Sequence, residues 1–169
     1  MRHGEFLHTS EKKRKNDLSE LRGSTVLDSS ALIEYLSGTR IGNILRTYFE
    51  TLTTKESVGA SLFALAETFY VLCRLKGPKF AGEKLNEILD SAVINVSNST
   101  DLAIQTGKLK CERAISLSDC SCLAAAKLVK GKAVFAFREN ELTREMRKKP
   151  FGVEILFLED LTASSSKRG

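Results

Sequence analysis

The stretch Thr25-Val26-Leu27-Asp28-Ser29-Ser30-Ala31-Leu32-Ile33 decides how the chain is read. Three β-branched or apolar residues run into an aspartate. Two hydroxyl residues follow, and an apolar pattern at helical spacing (Ala31, Leu32, Ile33, Leu36) begins at once. This is the signature of a short buried strand that ends in a carboxylate at the mouth of a helix. In an open parallel α/β sheet, ligands are met just beyond the carboxyl ends of the strands. Asp28 therefore stands where chemistry is expected.

Upstream, residues 1–22 are polar and charged apart from the late pair Leu18 and Leu21, which predicts a flexible basic arm with a short helix ended by Gly23. Downstream, the first helix runs to Ser37 and stops at Gly38, and a second spans Ile41 to Leu52. A second strand, Glu56 to Ser61, leads into a helix from Leu62 to Leu75 with Ser61 as its N-cap. That helix carries Leu62, Leu65, Ala66, Phe69, Leu72 and Cys73 as a broad apolar face, interrupted by Glu67. A helix from Phe80 to Ser91 and a strand from Val93 to Val96 follow. Ser99 or Thr100 opens a helix to about Ala114, and Ser116-Leu117-Ser118-Asp119 opens an alanine-rich one, Cys120 to Lys130. The strands Ala133–Phe137 and Glu154–Leu158 come last, before a serine-rich tail at 163–169 that reads as disordered. The order β-αα-β-αα-β-αα-β-β predicts a three-layer α/β/α domain over residues 23–162 with a mostly parallel central sheet.

A chain of 169 residues with 42% hydrophobic content suits one domain with a substantial core. No run of about eighteen apolar residues appears, and the first residues lack the apolar segment of a secretory signal. The expectation is a soluble, cytoplasmic protein. The net charge of +5 resides mostly in the two ends: the middle of the chain, residues 23–166, holds 18 bases against 17 acids. A basic tail of this kind reads as a solubilising arm more readily than as a specific reader of nucleic acid. The four cysteines fit no zinc spacing and both histidines lie in the arm, so free thiols are expected and a Cys–His nucleophile is not.

Four of the 21 acids stand out by position. Asp28 ends the first strand, Glu67 interrupts an apolar helix, Asp119 begins a helix, and Glu139 follows the fourth strand within two residues. Taken singly, Asp119 reads as a helix N-cap, Glu139 as a solvated loop acid, and Glu67 as a partner for Arg74 or Lys76. Taken together, strand ends and helix starts at one edge of a parallel sheet converge. Four converging carboxylates repel unless a cation neutralises them or their pKa values rise. Hard divalent cations take oxygen ligands and bind phosphate substrates.

With these residues in place, the chain resembles the PIN-domain ribonucleases, especially the VapC-type toxins of toxin–antitoxin pairs, over roughly Thr25 to Leu158. The opening motif is Val26-Leu27-Asp28-Ser29-Ser30-Ala31-Leu32. The second acid is Glu67 in Ser61-Leu62-Phe63-Ala64-Leu65-Ala66-Glu67. The third is Asp119, opening an alanine-rich helix through Ala124-Ala125-Ala126. The separations, 39 residues and then 52, suit that layout. At the fourth element the family has Thr/Ser, one residue, then Asp, whereas this chain has Phe137-Arg138-Glu139. The resemblance implies Mg²⁺- or Mn²⁺-dependent cleavage of single-stranded RNA. In that reading Asp28, Glu67, Asp119 and Glu139 are metal ligands and catalytic residues, and Ser30 orients Asp28 or caps the helix. Arg138 is a candidate phosphate contact. A small antitoxin protein and a homodimeric assembly are the partners implied. A competing reading keeps the fold as a non-catalytic binding module, with the altered fourth element marking a lost metal site. A receiver-type phosphoacceptor is disfavoured by the lack of an acidic pair before Asp28, and a two-aspartate phosphatase by Ser30 at the place of its second acid.

Overall fold

The computed structural model describes residues 18–163. Most of the expected arm (1–17) and of the expected tail (164–169) lies outside the described residues. Leu18 and Leu21 are buried in the core. Arg22 reaches Glu56 with hydrogen bonds of 2.8 and 2.9 Å and also donates to the Thr51 carbonyl. The end of the arm is therefore anchored to the domain.

Five strands, β1 (Ser24–Leu27), β2 (Ser57–Ser61), β3 (Ile94–Ser97), β4 (Lys132–Phe135) and β5 (Glu154–Phe157), form one sheet in the order β3-β2-β1-β4-β5. Every pairing is parallel. Helices α1 (Ser29–Ser37) and α2 (Gly42–Glu50) follow β1, and α3 (Leu62–Lys76) and α4 (Pro78–Ser91) follow β2. Helices α5 (Thr100–Glu112) and α6 (Leu117–Leu128) follow β3, α7 (Asn140–Lys148) joins β4 to β5, and α8 (Leu158–Ala163) closes the described chain.

Side chains alternate across a strand, and here the alternation divides two cores. Leu27, Val58, Val134 and Leu156 face one cluster with Leu32, Leu45, Tyr48, Leu65 and Leu72. Val26, Ala133, Phe135 and Phe157 face the other with Ile115, Leu123 and Leu142. The three-layer α/β/α architecture follows from that period of two.

Three local expectations need correction. No helix was expected between the last two strands, yet a parallel β4–β5 pair needs a crossover, and α7 supplies it. Leu158 starts a helix instead of ending a strand. On α3 the buried residues are Ala64, Leu65, Thr68 and Leu72, while Leu62 and Phe69 of the expected apolar face are exposed. Apolar residues surround that helix so evenly that packing, not periodicity, decides which side turns inward.

Close backbone contact sets one further constraint. A Cβ on Gly42 would overlap the Glu34 carbonyl group, where α2 starts against α1. Gly42→Ala is expected to cost about 1–3 kcal/mol by overpacking, read as a lowered midpoint in urea unfolding. An unchanged midpoint would mean that the α1–α2 turn is loose.

Candidate functional site

The chain lays down β1, β2 and β3 in one direction, then returns to place β4 on the other side of β1. The crevice at the carboxyl ends of β1 and β4 is thus the switch point of the sheet, where binding sites form. Asp28 sits at the end of β1 and its amide donates to the Val134 carbonyl at 2.9 Å. Glu139 lies four residues beyond the end of β4 and caps α7 without a side-chain hydrogen bond, which leaves its exposed carboxylate uncommitted.

Asp28 is buried and held as the N-cap of α1. Its Oδ2 accepts from the Ser30 amide at 2.9 Å and from Ser30 Oγ at 2.8 Å. Ser30 Oγ in turn accepts from the Ala136 amide at 3.0 Å, so one hydroxyl ties the acid of β1 to the end of β4. Oδ1 of Asp28 is buried with no hydrogen-bond partner among the described residues. Burial pushes this carboxyl up, the hydrogen bonds from Ser30 and Ser29 oppose it, and the Glu67 charge pushes it up further.

Glu67 is half-buried on α3 and accepts from Ser29 Oγ at 2.6 Å. The same hydroxyl lies 3.4 Å from Asp28 Oδ2. Ser29 thus gives its one hydroxyl proton to Glu67 while standing next to Asp28, a role that sequence reasoning missed; the hydroxyl beside Asp28 was the available signal. Asp119 is the third residue of α6 and forms a capping box with Ser116, whose hydroxyl accepts from the Asp119 amide at 2.9 Å. The N-cap is therefore Ser116, not Asp119, and the helix starts earlier than the spacing indicated. Burial, then the charge of Asp28, raises the Asp119 carboxyl to about 7, and Glu139 adds to the rise. Partial desolvation of the otherwise exposed Glu139 carboxyl raises it, and the charges of Asp28, Glu67 and Glu141 raise it further.

The helices that carry Glu67 and Asp119 are locked together by buried hydroxyls. Ser121 Oγ donates to the Ser118 carbonyl at 2.8 Å, while Ser61 Oγ accepts from the Ala64 amide. The 2.6 Å contact between the two hydroxyls is therefore satisfied with Ser61 donating to Ser121. Arg138 is engaged elsewhere: its guanidinium pairs with Asp160 and lies 4.3 Å from the centre of the Phe157 ring, and its amide donates to Glu159. The free cysteines take no part, and burial raises the Cys122 thiol well above its usual value.

The charges of Glu67 on Asp28, of Asp28 and Glu139 on Asp119, and of Asp28 and Glu67 on Glu139 thus place these acids around the switch point. Among the described residues, no group of three or more His, Cys, Asp or Glu side chains is closed up as the shell of an ion. The residues nonetheless fit a hard cation. Every donor is a carboxylate oxygen, one of them is a buried oxygen without a partner, and burial, with the charge of neighbouring acids added to it, raises three of the four groups.

No helix among the described residues is long and apolar enough to cross a membrane. No curated protein sequence matches the chain. Among solved structures, the chain is similar to VapC20 of Mycobacterium tuberculosis, described as a sarcin-ricin loop cleaving toxin. Identity is 19% and the TM-score 0.55, over 71% of this chain and 93% of that one. It is similar to DNA-bound VapBC from Salmonella typhimurium at 18% identity and a TM-score of 0.57, over 80% and 98% of the two chains. FitAcB from Neisseria gonorrhoeae is similar at 16% and 0.53, with the same coverage. At these identities the likeness concerns the fold. A PIN domain family model matches residues 25–144, which include Asp28, Glu67, Asp119 and Glu139, and the chain therefore belongs to the PIN domain family.

Proposed function

We propose that this PIN domain is an endonuclease that hydrolyses phosphodiester bonds of single-stranded RNA with Mg²⁺ or Mn²⁺ as its cofactor. We further propose that it is the toxin of a toxin–antitoxin pair. The observation that carries this reading is the set of acids at the sheet's switch point, where the buried Asp28 has an unpartnered oxygen and its charge acts on both Asp119 and Glu139. Asp28, Glu67, Asp119 and Glu139 would hold the cation. When bound, such an ion serves a phosphodiester as a Lewis acid, lowering the pKa of water and stabilising the departing oxygen.

The chain's own residues arrange the site. Ser30 fixes Oδ2 of Asp28 and leaves Oδ1 for the cofactor. Ser29 holds Glu67. The capping box holds Asp119 at the start of α6. Removing such an orienting hydroxyl commonly weakens metal binding about 10- to 100-fold. Ser30→Ala is expected to lose affinity for Mn²⁺ in that range by calorimetry, and it also strands the buried Ala136 amide. Equal affinity in the variant would make Ser30 a helix cap alone.

The toxin reading rests on the solved neighbours, two of them described as VapBC bound to DNA or as a toxin–antitoxin complex. It also rests on the exposed apolar side chains Leu62, Phe63, Phe69 and Tyr70 of α3, a face that a protein partner would cover. The partner classes are therefore a small antitoxin and a second copy of the chain, in a cytoplasmic setting.

The test is cleavage of single-stranded RNA by the purified protein with Mg²⁺, with Mn²⁺ and with EDTA. Cutting with either ion that EDTA abolishes is the expected result. No cutting by folded, partner-free protein would leave the non-catalytic binding module as the better reading.

A further inference from the structure

Phe137 lies two residues beyond the end of β4, where the chain leaves the sheet. Its neighbours are either buried or committed. Phe135 packs against Phe157, Ala136 is fully buried, and Arg138 is fastened through its amide to Glu159 and through its guanidinium to Asp160. Phe137 itself is 40% exposed and belongs to neither hydrophobic cluster. An aromatic ring is thus displayed on a backbone pinned on both sides.

The backbone just before it is tied to the site. The preceding amide, that of Ala136, donates to Ser30 Oγ, which donates to Asp28. Two residues further on comes Glu139, whose carboxyl senses Asp28 and Glu67. Helix α7 then carries exposed Arg144 and Arg147, with exposed Lys149 at its end. An exposed ring on backbone tied to Asp28 through Ser30, followed along the chain by cations, matches the two needs of a single-stranded nucleic acid: a surface for a base to stack on and positive charge for its backbone.

We infer that Phe137 is a specificity-determining residue, the stacking platform for a nucleobase adjoining the phosphodiester presented to Asp28, Glu67, Asp119 and Glu139. The inference rests on the nuclease reading and gives it a substrate preference: an unpaired base is required at this position, because a base inside a duplex has no free face to offer. The ring would bind and position the nucleotide. It would take no part in proton or metal chemistry.

The chain has no tryptophan, so Phe137→Trp introduces a single indole at the platform, excited selectively over the tyrosines. In an Asp28→Asn background with Mg²⁺ present, RNA is bound without being consumed. Titration with a short single-stranded RNA is expected to quench the Phe137→Trp emission, and the same sequence as a perfect duplex is not. In the same background, Phe137→Ala is expected to weaken binding of the fluorescein-labelled single strand about 5- to 100-fold, the range of one lost base stack. Phe137→Leu, which keeps apolar bulk without a π face, should weaken it similarly, and Phe137→Tyr should restore it. With Asp28 intact, Phe137→Ala should raise KM for cleavage more than it lowers kcat.

Unchanged emission, or Phe137→Leu binding as tightly as the parent, would overturn the platform and mark the ring as an apolar contact for a protein partner. If the parent cleaves RNA but the Phe137 variants bind it equally well, only this inference fails. If the parent neither binds nor cleaves RNA, the nuclease reading falls with it. Because the ring lies outside both cores, each variant is expected to unfold within a few degrees of the parent, which circular dichroism checks.

Discussion

Asp28→Asn is expected to reduce RNA cleavage about 1,000-fold or more while the domain stays folded. Asp28 is the acid on which the others depend. It is buried at the switch point, its Oδ1 has no hydrogen-bond partner, and its charge raises both Asp119 and Glu139. A ligand oxygen there would contribute several kcal/mol of transition-state charge stabilisation, and each 1.36 kcal/mol is a factor of ten in rate. Asparagine keeps one oxygen to accept from Ser30, so the local fold survives and the loss falls on the charge. Glu139→Gln provides the contrast. That carboxylate is exposed and makes no capping hydrogen bond, so its loss is expected to cost only about tenfold, the low end of a metal-site contribution. Single-turnover cleavage of a labelled RNA, with circular dichroism on each variant, measures both. Full activity in Asp28→Asn would move the chemistry away from this crevice altogether.

The two acids also mark how far local sequence carries. Asp28 is legible because its signal is local: an apolar strand, a carboxylate, a hydroxyl pair and a helix pattern occur within nine residues. Glu67 and Asp119 are legible as motifs, but that they meet depends on the strand order β3-β2-β1-β4-β5, which no periodicity encodes. Ser29 illustrates the gap. Its sequence neighbour is Asp28, yet its short hydrogen bond goes to Glu67, 38 residues away, and only the packing of α3 on α1 reveals it. Arg138 reads as a free cation until Asp160, beyond the last strand, claims it. Helix α7 escapes notice because its stretch Asn140–Lys148 is mostly charged and reads as a solvated loop, although Leu142 and Met146, four residues apart, do give it an amphipathic face. Long-range pairing is what sequence patterns do not contain.

Metal-free protein is expected to lose stability as pH rises from about 5 to 8, and a divalent cation is expected to restore it. A carboxyl whose folded value lies above its unfolded value binds its proton more tightly when folded, so its contribution is fully present below the unfolded value and is lost as pH rises through the folded one. For Asp119 the window runs from the ordinary value of 3.8 to about 7. Raised Asp28 and Glu139 act with the same sign. At 1.36 kcal/mol per pH unit, ionising Asp119 alone costs on the order of 4 kcal/mol by pH 8, or about 10 °C in Tm for a domain of this size. Glu56, lowered by Arg22, and Glu145, lowered by Lys148, have the opposite sign and lose stability as pH falls through the acid range. The optimum of the metal-free protein therefore lies in the acid range, near the unfolded carboxylate values of about 4. Asp119→Asn should flatten the fall between pH 5 and 8. Mn²⁺ or Mg²⁺ at about 100 times its dissociation constant should add about 2.7 kcal/mol, and add it mainly above pH 6, where the acids are ionised and ready to bind. Thermal melts at pH 5, 6.5 and 8, with and without the ion, separate these effects. A flat profile in EDTA would mean that the four carboxylates do not share a site. A steep profile that the ion leaves unchanged would mean that they share one which no cation fills, and that the repulsion at the switch point serves something other than metal binding.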